Sequence, residues 1–345
     1  MAEVDKINEQ LPMEDNSIPE EGLEVVLPEE EQTPQAPVEE NFYKNLAEDM
    51  DDRTLSRLAL DLIADYKKDR VSRLDWEQTY VQGLDLLGFK YQDMTRPFQG
   101  ATGVTHPLLA ESVTQFQAQA YKELLPAEGP VRTEVVGLET PDILRQAERV
   151  KDFMNYMLME KMEEYTPDFD QLLFYLPLSG SAFKKVYYDE ILQRAVSKFV
   201  PADDLVVPYY ATDLKDSERI THVVKMNEND IIKYQKAGFY LDVELIPKQP
   251  EQTAIQQKLS ELEGVKPSGD TTYQYNILEM HVDLDLSEYE TTAKSDERNV
   301  KIPYIVTIDE GSQQVLSVYR NYDQDDPLKT RKEYFVHYKF LPGLG

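Results

Sequence analysis

The chain of 345 residues contains no cysteine and only four histidines. Without thiols it has no disulfide framework, no cysteine-ligated zinc and no cysteine nucleophile. Runs of 18 apolar residues are also missing, and the opening residues Met1–Asp5 lack the cationic and apolar regions of a secretory signal. These absences predict an intracellular protein without a membrane span.

Positive charge is also scarce. The chain has 36 basic and 65 acidic residues, which gives a net charge of −29. Affinity for nucleic acid comes mainly from counterions that Lys and Arg displace from phosphates. The balance therefore argues against a module that grips DNA. It is compatible with a protein that DNA passes without being held.

The acidic residues are concentrated at the amino terminus, where residues 1–50 hold 15 Asp and Glu, two Lys and five Pro. Such a composition does not bury enough apolar surface to offset the entropy lost on ordering. We therefore expect residues 1–45 to form a disordered acidic tail. The remainder keeps 50 acidic and 34 basic residues, so the body is acidic too.

Helical periodicity dominates residues 46–180. One stripe begins at Leu55, a second at Trp76, and a third follows Thr105, a candidate cap, and ends before Pro126. Thr140-Pro141 predicts a further helix start, since proline at the first helical position loses no hydrogen bond. The apolar face of that helix predicts a methionine-rich core stripe. Its members are Leu144, Ala147, Val150, Met154, Met157 and Leu158.

The period changes to two in residues 181–345. The pattern predicts one hairpin from Ser181–Asp189 and Arg194–Val200, and another from Lys301–Asp309 and Gln314–Arg320. A short helix capped by Asn227 lies between them. The clearest strand is Leu278–Leu286, with one apolar and one polar face. A further strand is also predicted within residues 333–340.

Helices first and mostly antiparallel strands afterwards indicate an α+β fold. We expect three parts: a tail at 1–45, a helical region at 46–180, and an α+β region at 181–345. The apolar end at Phe340–Gly345 predicts that a C-terminal continuation is missing.

The only candidate metal site is His281, Asp283 and Asp285, which share one face of the predicted strand. A divalent cation or a nuclease-type metal site is geometrically possible there. Alternating polar residues opposite an apolar face are also what any half-exposed strand shows. The solvated face is the favoured interpretation, with a structural ion and catalysis as alternatives.

Other motifs lack the residues that their chemistry requires. Gly83–Gly88 has Walker-like glycine spacing, but Phe89-Lys90 follows where lysine and a hydroxyl are needed. The histidines do not stand in HExxH spacing, and there is no GxSxG elbow. We therefore expect no catalytic residues, no cofactor and no enzymatic activity.

Three groups of stretches together resemble the portal proteins of short-tailed bacteriophages, particularly marine phages. They are Gly100–Val113 with Lys122–Val131; Ser179–Asp189 with Phe199–Pro208 and Glu218–Val223; and Asp326–Lys329 with Phe335–Gly345. Their order and spacing, over roughly residues 53–345, carry the resemblance. The acidic tail lies outside it.

The resemblance implies a cyclic ring of about twelve copies at one capsid vertex. Such rings contact the major capsid and scaffolding proteins and dock the terminase large subunit. They pass double-stranded DNA without holding it tightly, and later bind a head–tail adaptor or tail proteins. The protein is then expected to assemble in the host cytoplasm and reside in the virion, with no membrane partner. The chain would contain much of the portal wing, and the matching motifs are architectural.

Two alternatives remain open. One is a metal-dependent phage nuclease that uses His281, Asp283 and Asp285. The other is a different virion or scaffolding protein without a channel.

Overall fold

The computed structural model describes residues 42–87, 98, 106–189, 192–248, 252–264, 275–286, 289 and 300–341. The α-helices are α1 Asp52–Ser72, α2 Leu74–Leu87, α3 Leu108–Leu124, α4 Pro141–Tyr156, α5 Tyr165–Ser179, α6 Glu228–Lys236 and α7 Ala254–Leu262. The strands are β1 Ser181–Asp189, β2 Arg194–Val200, β3 Leu205–Val206, β4 Arg219–Met226, β5 Tyr275–Leu284, β6 Ile302–Asp309, β7 Gln314–Arg320 and β8 Phe335–Lys339.

The strands form two antiparallel sheets. A three-stranded sheet has the order β2-β1-β8, and a five-stranded sheet has the order β3-β4-β5-β6-β7. Both predicted hairpins are confirmed, since β1 pairs with β2 and β6 pairs with β7. The predicted α+β class is likewise confirmed for the described residues. No described helix is both long and apolar enough to cross a membrane.

Helix starts follow the predicted capping chemistry in two of three cases. The side chain of Thr140 accepts a hydrogen bond from Ile143 N at the start of α4, and Asn227 accepts one from Asp230 N at the start of α6. At α3 the prediction was wrong, because Pro107 is the N-cap residue and gives no side-chain cap. Thr105 lies outside the described residues.

The main core lies between α1 and one face of the five-stranded sheet. From α1, Ala59, Leu62, Ile63 and Tyr66 pack on Met280 and its neighbours in β5, β6 and β7. These residues are the apolar stripes that the sequence shows at spacing 3.6 on the helix and spacing 2 on the strands. A single compact unit contains all the described residues, so the predicted 46–180 and 181–345 regions fold together.

The predicted strand Leu278–Leu286 is β5, shifted to Tyr275–Leu284. Its polar face was expected to meet solvent, and for His281 that expectation was wrong, because only 2% of this residue is exposed. β5 is the central strand of its sheet. While α1 covers its apolar face, the aromatic rings of Tyr334 and Phe335, the latter on β8, cover His281 on the other face.

The methionine stripe of α4 was also predicted as core, and that prediction was wrong. No residue of α4 is buried, and Leu144, Val150 and Met154 keep 48%, 44% and 44% of their surface exposed. Periodicity shows that a helix has an apolar face, but it does not show which surface covers that face.

Phe42–Asn45, placed by the sequence in the acidic tail, pack against β7. Asn45 is 3% exposed. Its Oδ1 accepts hydrogen bonds from Val318 N at 2.9 Å and Ala47 N at 3.1 Å, and its Nδ2 donates to Leu316 O at 3.3 Å. One amide side chain thus pairs with both a donor and an acceptor of the outer edge of β7.

We predict that Asn45→Ala lowers the free energy of unfolding by about 2–3 kcal/mol, because a buried backbone N–H loses its partner. Urea unfolding followed by circular dichroism measures the change. Glu48→Ala, an exposed change three residues away, is the control and should cost less than about 0.5 kcal/mol. Equal midpoints for the two variants would contradict the assigned role of Asn45.

Candidate functional site

Two of the candidate metal residues, His281 and Asp283, line a groove of about 530 Å³ where the two sheets meet, and Asp285 is not part of its lining. One wall is the segment from Asp213 to Lys215, and the other is the segment from Thr330 to His337. Ile220, His281 and Asp283 lie between these walls. The groove has the size of a small-ligand pocket, so the free bonding capacity of its polar groups decides what it can hold.

His281 has both ring nitrogens engaged. Nε2 lies 2.9 Å from Glu279 Oε1, and Nδ1 lies 3.4 Å from Asn321 Nδ2. Burial lowers the pKa of His281, although its contact with Glu279 acts in the opposite direction. A neutral imidazole with two partners has little capacity left to ligate a metal.

The two aspartates of the candidate site do not join His281 in a cluster. Asp283 Oδ1 accepts a hydrogen bond from Arg331 Nη2 at 2.9 Å. Asp285 is exposed and follows the last residue of β5. Across the described residues, no group of three or more His, Asp or Glu side chains has an arrangement that could hold a metal ion. The face that the three residues share on the strand therefore does not become a metal centre in this structure.

Glu279 is the centre of an ionic contact between the sheets. Its two carboxylate oxygens each lie 2.6 Å from the Nζ of Lys185 on β1, and His222 Nδ1 is 3.9 Å away. Burial would raise the pKa of Glu279, but the Lys185 ammonium and the contact with His281 hold it well below its usual range. Glu279 is therefore ionised, and its contact with Lys185 bridges the three-stranded sheet and the five-stranded one.

Sequence patterns did not reveal the role of Glu279. Its alternation with apolar neighbours is the same as that of a solvent-facing residue. The partner Lys185 is 94 positions away in the chain, so only the tertiary structure brings the two together.

A serine and a histidine also approach each other beside the groove. His337 Nε2 lies 3.1 Å from Ser181 Oγ. Within the described chain, however, His337 Nδ1 has no hydrogen-bond partner that would orient the ring. A nucleophilic serine requires a base held by a third group, so this pair lacks the arrangement of a hydrolase.

Asp204 is a perturbed carboxyl group that the sequence did not single out. Burial, together with the neighbouring charge of Asp203, raises the pKa of Asp204 to about 6. The cavity beside it measures only about 20 Å³, which is room for a water molecule and not for a substrate. Asp204 is therefore a half-buried acid whose adjacent cavity has no room for a substrate.

A second perturbed group is Lys184, which is 2% exposed and whose Nζ has no hydrogen-bond partner among the described residues. The Nζ lies 4.1 Å from the ring centroid of Tyr165 and 4.9 Å from that of Phe169. Burial lowers the pKa of Lys184 to about 8. Cation–π contact compensates part of the lost hydration.

An exposed apolar surface is formed by α4 and the segment that precedes it. Phe153 is 63% exposed, and Val136 and Leu138 in the preceding segment are 96% and 81% exposed. Near the end of the helix, Asn155 exchanges hydrogen bonds with the backbone of Val131. An exposed apolar stripe of this kind is typical of an interaction surface.

The charges of α4 are balanced, unlike those of the whole chain. Three acidic residues and three basic ones occupy the helix: Asp142, Glu148 and Asp152, and Arg145, Arg149 and Lys151. This surface is therefore one of the places where two copies of an acidic protein can meet with little net repulsion.

Comparison with known proteins gives no assignment. No protein-family model matches the chain, and no curated protein matches it either.

We predict that Glu279→Gln lowers the free energy of unfolding by about 3–5 kcal/mol, because it leaves the Lys185 ammonium largely buried without a counter-charge. Adding Lys185→Met should restore part of the loss, since no isolated charge then remains. The control is Glu333→Gln, which removes the exposed partner of Lys215 and should cost less than about 1 kcal/mol. Urea unfolding midpoints that fall equally for Glu279→Gln and the control would contradict the ionic contact.

The lowered pKa of Lys184 predicts that the free energy of unfolding depends on pH. The pKa in the folded protein is about 8, below the ordinary 10.5, so folding releases a proton between these pH values. Stability of the wild type relative to Lys184→Met should therefore rise from pH 8 to 10.5, by on the order of 2–3 kcal/mol. Urea unfolding of both proteins measures the difference, and the titration of tyrosines cancels in it. A difference independent of pH would show that the Lys184 pKa is not lowered.

Proposed function

We propose that this chain is the subunit of a bacteriophage portal ring at the capsid vertex through which double-stranded DNA is packaged and ejected. The observation that carries the proposal is the exposed, charge-balanced apolar face of α4. Burying such a face is favourable, and a monomer that exposes it to water does not gain this free energy. In a ring, a neighbouring copy can bury the face. The resemblance of the sequence to phage portal proteins is the reason for proposing that this ring is a portal.

In this proposal the protein itself does no chemistry. It docks the terminase large subunit during packaging, contacts the capsid and scaffolding proteins during assembly, and then holds the adaptor or tail proteins in the virion. The described polar groups support that view, since His281, Asp283 and Glu279 are engaged with one another or with Arg331 and Lys185.

The acidity of the chain also supports this role. A net charge of −29 weakens each contact with a DNA phosphate, so DNA slides past the subunit without being retained. Tight binding of duplex DNA by the assembled ring at physiological salt would contradict this part of the proposal.

The nuclease alternative uses His281, Asp283 and Asp285. Its test is metal-dependent cleavage of DNA by the wild type that Asp283→Ala abolishes. The shape of the assembled particles distinguishes a portal from another virion or scaffolding protein. A portal forms closed rings, whereas the alternative forms monomers or open polymers.

We predict that the full-length gene product forms closed rings of about twelve copies in negative-stain microscopy, and that Val150→Glu prevents their formation. The change places a carboxylate in the centre of the apolar face of α4. Arg149→Gln is the matched control, because it makes the net charge more negative by one unit at the adjacent position but lies outside the apolar face.

Rings for the wild type and Arg149→Gln, together with monomers for Val150→Glu, support the proposal. Monomeric wild-type protein, or rings for all three proteins, would contradict the role given to α4. Circular dichroism of each variant shows whether the subunit itself remains folded.

A further inference from the structure

The two sheets have four outer edges, and an open edge is a template for a strand from another chain. Three of the edges are closed by side chains of this protein. On β2, Ser197 N and Phe199 N point away from β1, and they donate hydrogen bonds to the carboxylates of Glu164 at 3.4 Å and Asp168 at 2.7 Å. Two acidic side chains from the start of α5 thus occupy this edge.

The edges of the five-stranded sheet are closed in a similar way. On β7, Asn45 bonds Val318 N and Leu316 O, and Leu241 N donates to the same Leu316 carbonyl at 2.8 Å. On β3, Arg73 Nη1 donates to the outward carbonyl of Leu205 at 3.0 Å.

The fourth edge, that of β8, is open as far as the described residues are concerned. Val186 N donates to Tyr334 O, and Phe340 N donates to Gly180 O, so the even-numbered residues of β8 bond to β1. The backbone groups of Phe335, His337 and Lys339 consequently point away from β1. Within the described part of the chain, no hydrogen-bond partner is found for these backbone groups.

The groove described above lies along this part of β8. Phe335, Val336 and His337 line it, and Leu214 and Ile220 add apolar surface. Its volume of about 530 Å³ lies in the range of pockets that take a small ligand or a few residues of a peptide. An open edge beside an apolar groove is the arrangement used when a peptide is added to a sheet as an extra strand.

The charge of this edge indicates its occupant. Between Lys329 and Lys339 the chain has four basic residues and one acidic residue, within a protein of net charge −29. Arg331 is paired with Asp283 at 2.9 Å and Lys332 with Asp323 at 2.6 Å, so Lys339 is the basic residue of β8 that remains for a partner. Lys339 Nζ contacts only the carbonyl of Thr212 within the described residues, so no carboxylate neutralises it there. A basic strand edge on an acidic protein is complementary to an acidic segment of another copy.

We propose that β8 accepts an extended acidic segment of a second copy of this chain as a fourth strand of the three-stranded sheet. The inference rests on the proposed function, because a ring brings a second copy beside each subunit. Backbone hydrogen bonds to Phe335, His337 and Lys339 hold the segment, and the Lys339 ammonium selects it over neutral sequences.

The test compares His337→Pro with His337→Ala in the full-length gene product. Proline removes the outward N–H without touching a bond to β1, and an edge strand tolerates it. Alanine removes the same imidazole but keeps the N–H. We expect the concentration at which half of the protein is assembled to rise about tenfold or more for His337→Pro, and to change by less than about threefold for His337→Ala.

Amide hydrogen exchange of the wild-type protein provides a second test that does not depend on the folding of His337→Pro. In wild-type rings the amides of Phe335, His337 and Lys339 should exchange at least about tenfold more slowly than in the dissociated subunit, while Val336 and Tyr338 are protected in both states. Equal exchange of the three outward amides in rings and subunits would overturn the proposal, and so would normal assembly of a folded His337→Pro variant.

Overlapping synthetic peptides that cover the sequence provide a readout independent of ring formation. An acidic peptide that protects the three outward amides supports the proposal even if the wild type forms no rings, in which case the proposed portal function fails alone. Protection only by the β8 peptide indicates pairing of β8 with itself and overturns the proposal. Absence of protection by every peptide overturns it as well.

Discussion

The contact between Lys185 and Glu279 is the interaction on which the rest of the structure depends. It joins β1 in one sheet to β5 in the other, with Nζ–O distances of 2.6 Å to both carboxylate oxygens. A largely buried pair of this kind contributes little net stability compared with an apolar pair, but the loss of one partner is costly. Its effect is to fix one relative placement of the sheets. That placement buries His281, forms the groove and sets the position of β8.

Sequence reasoning succeeded where a local signal determines the structure. The stripes at spacing 3.6 and 2 predicted helices and hairpins, and Thr140-Pro141 and Asn227 predicted helix starts. It failed where a surface must be covered by something distant in sequence. The polar face of β5 has the pattern of an exposed face, yet Lys185 and Phe335 cover it. For α4 the error was opposite: its apolar face has the pattern of a core helix, but no described residue covers it enough to bury it. The candidate metal site was not confirmed for the same reason that the exposure of β5 was mispredicted: tertiary contacts decide which partners its side chains have.

Some surfaces of the protein are covered by its own side chains, and others have no cover among the described residues. Glu164, Asp168, Asn45 and Arg73 close three sheet edges with specific hydrogen bonds. The edge of β8 and the apolar face of α4 have no such cover within the described chain. Full burial of a large apolar side chain is worth about 1.5–3 kcal/mol, and the α4 side chains are already half buried, so this face supplies about 5 kcal/mol. Association costs at least about 4 kcal/mol, so α4 alone holds a neighbour only weakly and further contacts are required.

The central claim is that these open surfaces are the contacts between copies in a ring. A cryo-electron microscopy reconstruction of the assembly formed by the full-length gene product tests it most directly. The account predicts a closed ring in which neighbouring copies cover the apolar face of α4 and add a strand to β8. A particle that is not a closed ring, or a ring in which both surfaces remain exposed to solvent, would contradict it.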